Sequence, residues 1–157
     1  MVLKKIVSGG QTGADRAGLD VAIDNDIPHG GWIPKGRRTE EGPLDPKYNL
    51  QQTNSRDWKP RTERNLRLSD GTIILTYGPI QKRGGTALTV RLCEQFKKPC
   101  LYVDMNTDEV VEEDITKWLQ DNNIEVLNVA GPRASKEPNV YHDAYDMLET
   151  VVKTLKK

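Results

Sequence analysis

Ile6-Val7-Ser8-Gly9-Gly10-Gln11-Thr12-Gly13-Ala14-Asp15-Arg16 is the stretch that decides the fold of this chain. A short aliphatic run ends in three glycines, and a largely apolar helical pattern, Ala14 to Asn25, starts directly behind them. A strand that turns tightly into a helix is the unit of a parallel α/β sheet, and ligands bind where such turns gather at the carboxyl edge. Glycines let the backbone approach an anion, and the helix start turns free N–H groups and its positive dipole end toward it. The interleaved Ser8, Gln11, Thr12, Asp15 and Arg16 favour binding over a plain turn. The dinucleotide fingerprint would need glycine at position 11, and a Walker loop would need lysine where Leu19 stands after Gly13 and Gly18, so neither common nucleotide motif is present.

Outward from this turn the apolar pattern keeps switching between strand-like runs and helical spacing. Strands are predicted at Lys4 to Ser8, Gly31 to Ile33, Thr72 to Thr76, Cys100 to Val103 and Glu125 to Val129, each short and aliphatic or β-branched as buried parallel strands are. Helices are predicted at Ala14 to Asn25, Arg61 to Leu68 and Thr86 to Lys97, and along the face Val111, Ile115, Trp118, Leu119 and Asn122. The last helix is the clearest, with Val140, Ala144, Met147, Leu148, Val151, Val152 and Leu155 on one side and Pro138 placed as a first-turn residue. The expected fold is a Rossmann-like three-layer α/β sandwich with a mostly parallel sheet of about five strands or more. The 157 residues fit one domain, 1–157, with a loop excursion at 34–60 that is polar, rich in Pro and Gly and without periodicity.

Composition removes several classes of function. No apolar run approaches the roughly 20 residues of a membrane helix, and the lysines inside Met1-Val2-Leu3-Lys4-Lys5-Ile6-Val7 do not suit a signal peptide, so the cytoplasm is expected. The 23 basic and 23 acidic residues balance, which gives no bulk attraction to nucleic acid or lipid. Locally, residues 32–67 carry nine Lys or Arg against five Asp or Glu, and residues 104–125 carry eight acids against Lys117. A short basic segment suits a small anion better than a long polyanion. Cys93 and Cys100 form no CxxC and His29 and His142 are far apart, so no protein-held metal is expected and both cysteines read as core residues.

Two further glycine turns lie between a strand and a helix. Tyr77-Gly78-Pro79-Ile80-Gln81-Lys82-Arg83-Gly84-Gly85-Thr86 offers Thr86 to cap the helix or touch a phosphate oxygen, and Ala130-Gly131-Pro132-Arg133-Ala134-Ser135 adds an arginine fork and a hydroxyl. Pro34-Lys35-Gly36-Arg37-Arg38-Thr39-Glu40-Glu41-Gly42, in the excursion, sets three basic groups beside two carboxylates. It reads either as a phosphate clamp with Glu40 or Glu41 as a general base, or as an exposed charged loop. Trp32, Tyr48 and Trp58 lie in or beside it and are candidates to stack on a planar ring.

The string from Ile6 to Asp20, with Gly30-Gly31-Trp32, Pro34-Lys35-Gly36-Arg37, Ser69-Asp70-Gly71-Thr72 and Gly84-Gly85-Thr86, resembles the "putative molybdenum cofactor carrier" family over nearly the whole chain. That family resembles a circularly permuted branch of the Rossmann-like superfamily of DNA-processing proteins and LOG-type nucleoside-monophosphate phosphoribohydrolases. The resemblance implies a nucleotide-like ligand, with molybdenum held by a pterin dithiolene rather than by protein thiolates. The LOG-type hydrolases resemble the chain at Gly84-Gly85-Thr86 but carry a catalytic glutamate three residues later, where Thr89 stands, and Glu94 lies more than two helical turns beyond Thr86.

The expected function is therefore binding of a phosphorylated, planar small ligand, molybdenum cofactor (molybdopterin) or a nucleotide. The binding residues are expected among Gly9, Gly10, Gln11, Thr12, Gly13, Asp15, Arg16, Lys35, Arg37, Gly84, Gly85, Thr86, Gly131, Arg133 and Ser135. The excursion is expected to close over the ligand, and Gly10 to approach it so closely that no Cβ fits. The first alternative is a hydrolase of an N-glycosidic or phosphoester bond using Asp15, Glu40 or Glu41, and the second a DNA-binding accessory protein, which the charge balance disfavours. The ligand's identity and the oligomeric state, a homo-oligomer included, are not fixed by the sequence.

Overall fold

The computed structural model describes residues 3–79, 83–107 and 112–157. Its centre is a five-stranded sheet of β1 (Lys5–Val7), β2 (His29–Gly30), β7 (Gly71–Thr76), β8 (Cys100–Asp104) and β9 (Val126–Ala130), in the order β2-β1-β9-β7-β8 with every pair parallel. The last strand in sequence thus lies in the middle. The helices are α1 (Ala14–Asp24), α2 (Trp58–Leu68), α3 (Gly85–Phe96), α4 (Glu112–Asp121) and α5 (Val140–Leu155). The expected α/β fold and parallel sheet are present.

Period-two alternation along the strands sorts the side chains into two layers. Ile6, Ile73, Leu75, Leu127 and Val129 point to one face, where they join Ala17 and Val21 of α1, Ile115 and Leu119 of α4, and Ala144, Leu148 and Val151 of α5. The other face is covered by α2 and α3, with Leu66, Leu92 and Cys93 buried together and Cys100 packed beside them. The cysteines are free thiols of this packing. Among the described residues no helix is long and apolar enough to cross a membrane.

Three sequence expectations shift. The strand expected at Gly31 to Ile33 is not part of the main sheet, since His29–Gly30 before it is the sheet strand and β3 (Trp32–Ile33) pairs with β6 (Gln51–Gln52) in a separate ribbon. Gly31 has φ +125°, and a Cβ there would stand 2.3 Å from the Ser8 carbonyl oxygen, so the chain turns away at a point only glycine can occupy. Second, α2 starts at Trp58, not Arg61, because Pro60 falls in the first turn, where its missing N–H costs no helical bond. Third, α5 begins at Val140 with Asn139 at its N-cap, so Pro138 lies just before the helix. Val111 of the expected α4 face, and Ile80, Gln81 and Lys82 of the second glycine turn, lie outside the described residues.

The excursion has a small core of its own. Leu44, Tyr48 and Leu50 bury themselves with Ile33 against Leu19 of α1. A two-stranded antiparallel turn of β4 (Arg38–Thr39) and β5 (Gly42–Pro43) completes it.

Candidate functional site

The parallel strands end on one edge, and there the turns after β1, β7 and β9 open into a cleft of about 1360 Å³. Its walls are α2, through Trp58, Arg61 and Asn65, and α3, through Thr86, Leu88 and Thr89; Asn128 of β9 lies in its floor. Among the described residues five cationic side chains line it, Lys59, Arg61, Arg83, Arg133 and Lys136, against the carboxylates of Asp15, Asp57 and Glu137. The balance favours an anionic ligand.

Of the residues expected to bind, Gly9, Gln11, Asp15, Gly84, Gly85, Thr86, Gly131 and Arg133 line this cleft. The remaining ones are occupied elsewhere. Gly10 is buried, and a Cβ there would meet Ile33, Leu50 and Leu44 at 3.0–3.1 Å, so the close approach at this glycine is made by the protein's own side chains. Gly13 is closed by the Pro132 carbonyl, 2.4 Å from its would-be Cβ. The Arg16 guanidinium donates to the Gly10 carbonyl and lies 5.5 Å from the centre of the Tyr48 ring. Thr12 donates its hydroxyl to Glu40 and accepts the Ala134 N–H, and Ser135 donates both its N–H and its hydroxyl to Glu40.

The excursion is fastened rather than poised over the cleft. Arg37 donates to four backbone carbonyls, those of Leu44, Asp45, Tyr48 and Leu50, and so acts as the internal brace of its own loop. Lys35 is exposed and off the cleft, with its N–H on the Ser55 carbonyl. Glu40 ties the excursion to the turns after β1 and β9. Partial burial pushes its pKa up, but hydrogen bonds from Ser135 and Thr12 and the nearby Arg133 outweigh that and hold it below the ordinary carboxylate value. A depressed, saturated carboxylate is unsuited to act as a general base near neutral pH. Glu41 is exposed. Of the three aromatic candidates, Tyr48 is in the excursion's core, Trp32 carries Arg64 over its ring, and Trp58 alone lines the cleft, with Arg38 and Arg61 against its ring.

The floor of the cleft holds an ion pair that sequence reading missed. Arg61 donates Nη1 to Asp15 Oδ2 at 3.0 Å, and the Gln11 N–H donates to the same oxygen. Gly9 makes the pair possible, since its Cβ would stand 1.4 Å from Arg61 Nη1. Arg61 Nε is buried without a partner among the described residues. The helix dipole at the start of α1 predicts a low pKa for Asp15, yet burial dominates and raises it, with Arg61 and the Gln11 N–H pulling the other way. Nothing in one sequence links Asp15 to a residue 46 positions away; the available signal was Gly9, which marks an approach without naming what approaches. Thr89 is buried with its hydroxyl on the Gly85 carbonyl of its own helix. Among the described residues no three His, Cys, Asp or Glu side chains gather as a metal-binding group.

A solved structure described as "Putative molybdenum carrier protein", from Syntrophus aciditrophicus SB, is similar at 46% identity and a TM-score of 0.92, covering 96% of each chain. No curated protein matches. The circularly permutated YpsA SLOG family matches residues 6–152, and the chain belongs to that family.

Proposed function

We propose that the protein binds a phosphorylated, planar small molecule, molybdenum cofactor or a nucleotide, in the cleft at the carboxyl edge of the sheet. The observation that carries this reading is the start of α3. A Cβ at Gly84 or Gly85 would have no neighbour within 4 Å among the described residues, and these two glycines open the first turn of a 12-residue helix toward a cleft lined by Arg83 and Lys136. Free N–H groups, a helix dipole and two cations are the usual receptor for a phosphate. Trp58 supplies a flat wall for the ring. The name of the similar solved structure supports the carrier form of this reading.

The test is mass spectrometry of what copurifies with the native protein, followed by thermal-shift titration with that compound. Saturable stabilisation is expected, with affinity about tenfold weaker in Lys136→Ala. No saturable response to any phosphorylated pterin or nucleotide removes the reading. Hydrolysis is a second reading, favoured by Asp15 alone, a buried carboxyl that lines the cleft where a ligand would lie. Release of free base or phosphate that is lost in Asp15→Asn would establish it in place of the carrier.

A further inference from the structure

We propose that the Asp15–Arg61 pair reads the edge of a 2-amino-4-oxo-pyrimidine ring, the carbonyl, lactam N–H and amino group shared by guanine and pterin, so that the ligand enters ring first and leaves its phosphate at the rim. The inference rests on the cleft being the binding site and specifies which rings that site accepts.

The floor presents a donor beside an acceptor. Asp15 is 5% exposed and lines the cleft; its Oδ2 is taken by Gln11 and Arg61, while Oδ1 has no hydrogen bond to any described residue. Arg61 spends Nη1 on Asp15, Nη2 has no partner among the described residues, and Nε is buried without one. Asn128 is also 5% exposed; its amide nitrogen goes to the Thr72 hydroxyl, and its amide oxygen is a second acceptor without a partner among the described residues. A ligand that covers these groups and displaces water from them must bring N–H donors for Asp15 and Asn128 and an oxygen for Arg61.

A phosphate does not meet that demand. It has no donors to give when ionised, and the Asp15 carboxylate repels it. The lactam edge of guanine or pterin meets it with a carbonyl oxygen for the guanidinium and an adjacent N–H and amino group for the two acceptors, Asp15 Oδ1 and the Asn128 amide oxygen. Hypoxanthine keeps the lactam and lacks the amino group. Adenine sets a ring-nitrogen lone pair where the carboxylate needs a donor. The pair is held for this task, since Gly9 leaves room for the guanidinium and the Trp58 ring lies 5.5 Å from its carbon. The phosphate then falls to the α3 start and Lys136, away from the carboxylate.

The experiment is calorimetric titration of the intact protein with GMP, IMP, AMP and 6-hydroxymethylpterin phosphate. GMP and the pterin phosphate are expected to bind, IMP about tenfold and AMP about a hundredfold more weakly than GMP, one lost hydrogen bond in the first case and a reversed pattern in the second. The ratio of GMP to pterin affinity tells which source of the shared edge the cleft prefers. Asp15→Asn is expected to bring the GMP and IMP affinities together. Should that variant fail to fold, Arg61→Lys retains the charge and weakens GMP and IMP alike by removing the contact to their common carbonyl. Equal binding of GMP, IMP and AMP overturns the ring reading and leaves the phosphate-binding cleft standing. Binding of none of the four overturns both.

Discussion

Two glycine turns flank the same cleft, follow parallel strands and lead into helices, yet they are opposite in kind. In the turn after β1 the glycines are filled by the protein itself: Arg61 lies over Gly9, three aliphatic side chains enclose Gly10, and the Pro132 carbonyl closes Gly13. In the turn before α3, Gly84 and Gly85 have no described residue within 4 Å of a would-be Cβ. A glycine in such a turn signals that something comes close to the backbone. Whether that is a ligand or another part of the chain depends on long-range packing, which differs between these two turns.

The largest effect that distinguishes them is expected from Gly13→Ala. The residue has φ +80°, so a side chain is strained there regardless of space, and the new Cβ meets a backbone oxygen at 2.4 Å that no rotamer change relieves. Destabilisation of about 3 kcal/mol or more is expected in denaturant unfolding. A loss below about 1 kcal/mol would show that the first turn is as open as the second.

Gly10→Val comes next and separates ligand contact from packing. Overpacking Ile33, Leu44 and Leu50 at a positive φ should cost about 2–4 kcal/mol, while the folded protein keeps its ligand affinity. Unchanged melting with abolished binding would place the ligand, not the excursion, against Gly10.

A smaller effect is expected where the excursion is tied down. Glu40→Ala removes the acceptor of Thr12, Ser135 and Arg133 at a partly exposed site, and about 1–2 kcal/mol should be lost at neutral pH. The folded-state pKa of Glu40 lies below its ordinary 4.5, so the unfolded chain takes up the proton first as pH falls. The stabilisation is therefore present above about pH 4.5 and is lost as pH drops through the lowered value, and the difference between parent and variant should shrink there. A gap that stays constant down to acid pH would mean that the carboxylate's bonds do not hold the excursion.

Four strands of the sheet, β1, β7, β8 and β9, were legible as short apolar runs, whereas β2, His29–Gly30, carries no such run, and α5 was legible because its apolar stripe runs over 16 residues. The turn after β1 was legible as a place of close approach. What approaches was not, since Arg61 reaches Gly9 and Asp15 from α2, and Leu44 and Leu50 reach Gly10 from the excursion, through contacts that leave no local pattern. The polar, Pro-rich excursion resembles a lid in composition, but Arg37 spends its charge on carbonyls and Leu44, Tyr48 and Leu50 form a core, so basic residues that read as a clamp serve as a brace. Asn128 was hidden differently, as one polar residue inside a strand, a position where a satisfied core amide is the ordinary expectation.

The smallest expected effect on stability carries the other half of the comparison. Gly85 is exposed, begins α3, and has no neighbour within 4 Å of a would-be Cβ among the described residues, so Gly85→Ala meets no steric obstacle from them. Alanine is the better helix former by about 1 kcal/mol in a helix interior and by less in the first turn, which makes a neutral to slightly stabilising change the expected result. Binding should respond in the opposite direction. The methyl group occupies the approach to the free N–H groups of the first turn, and a phosphate held there loses contact, so the thermal shift given by GMP should shrink while the unliganded protein melts as before. If the variant melts earlier, the turn is packed after all and the two glycine loops are alike. If it melts normally and responds to GMP as fully as the parent, the phosphate is held elsewhere on the rim, where Arg133 is another cation lining the cleft.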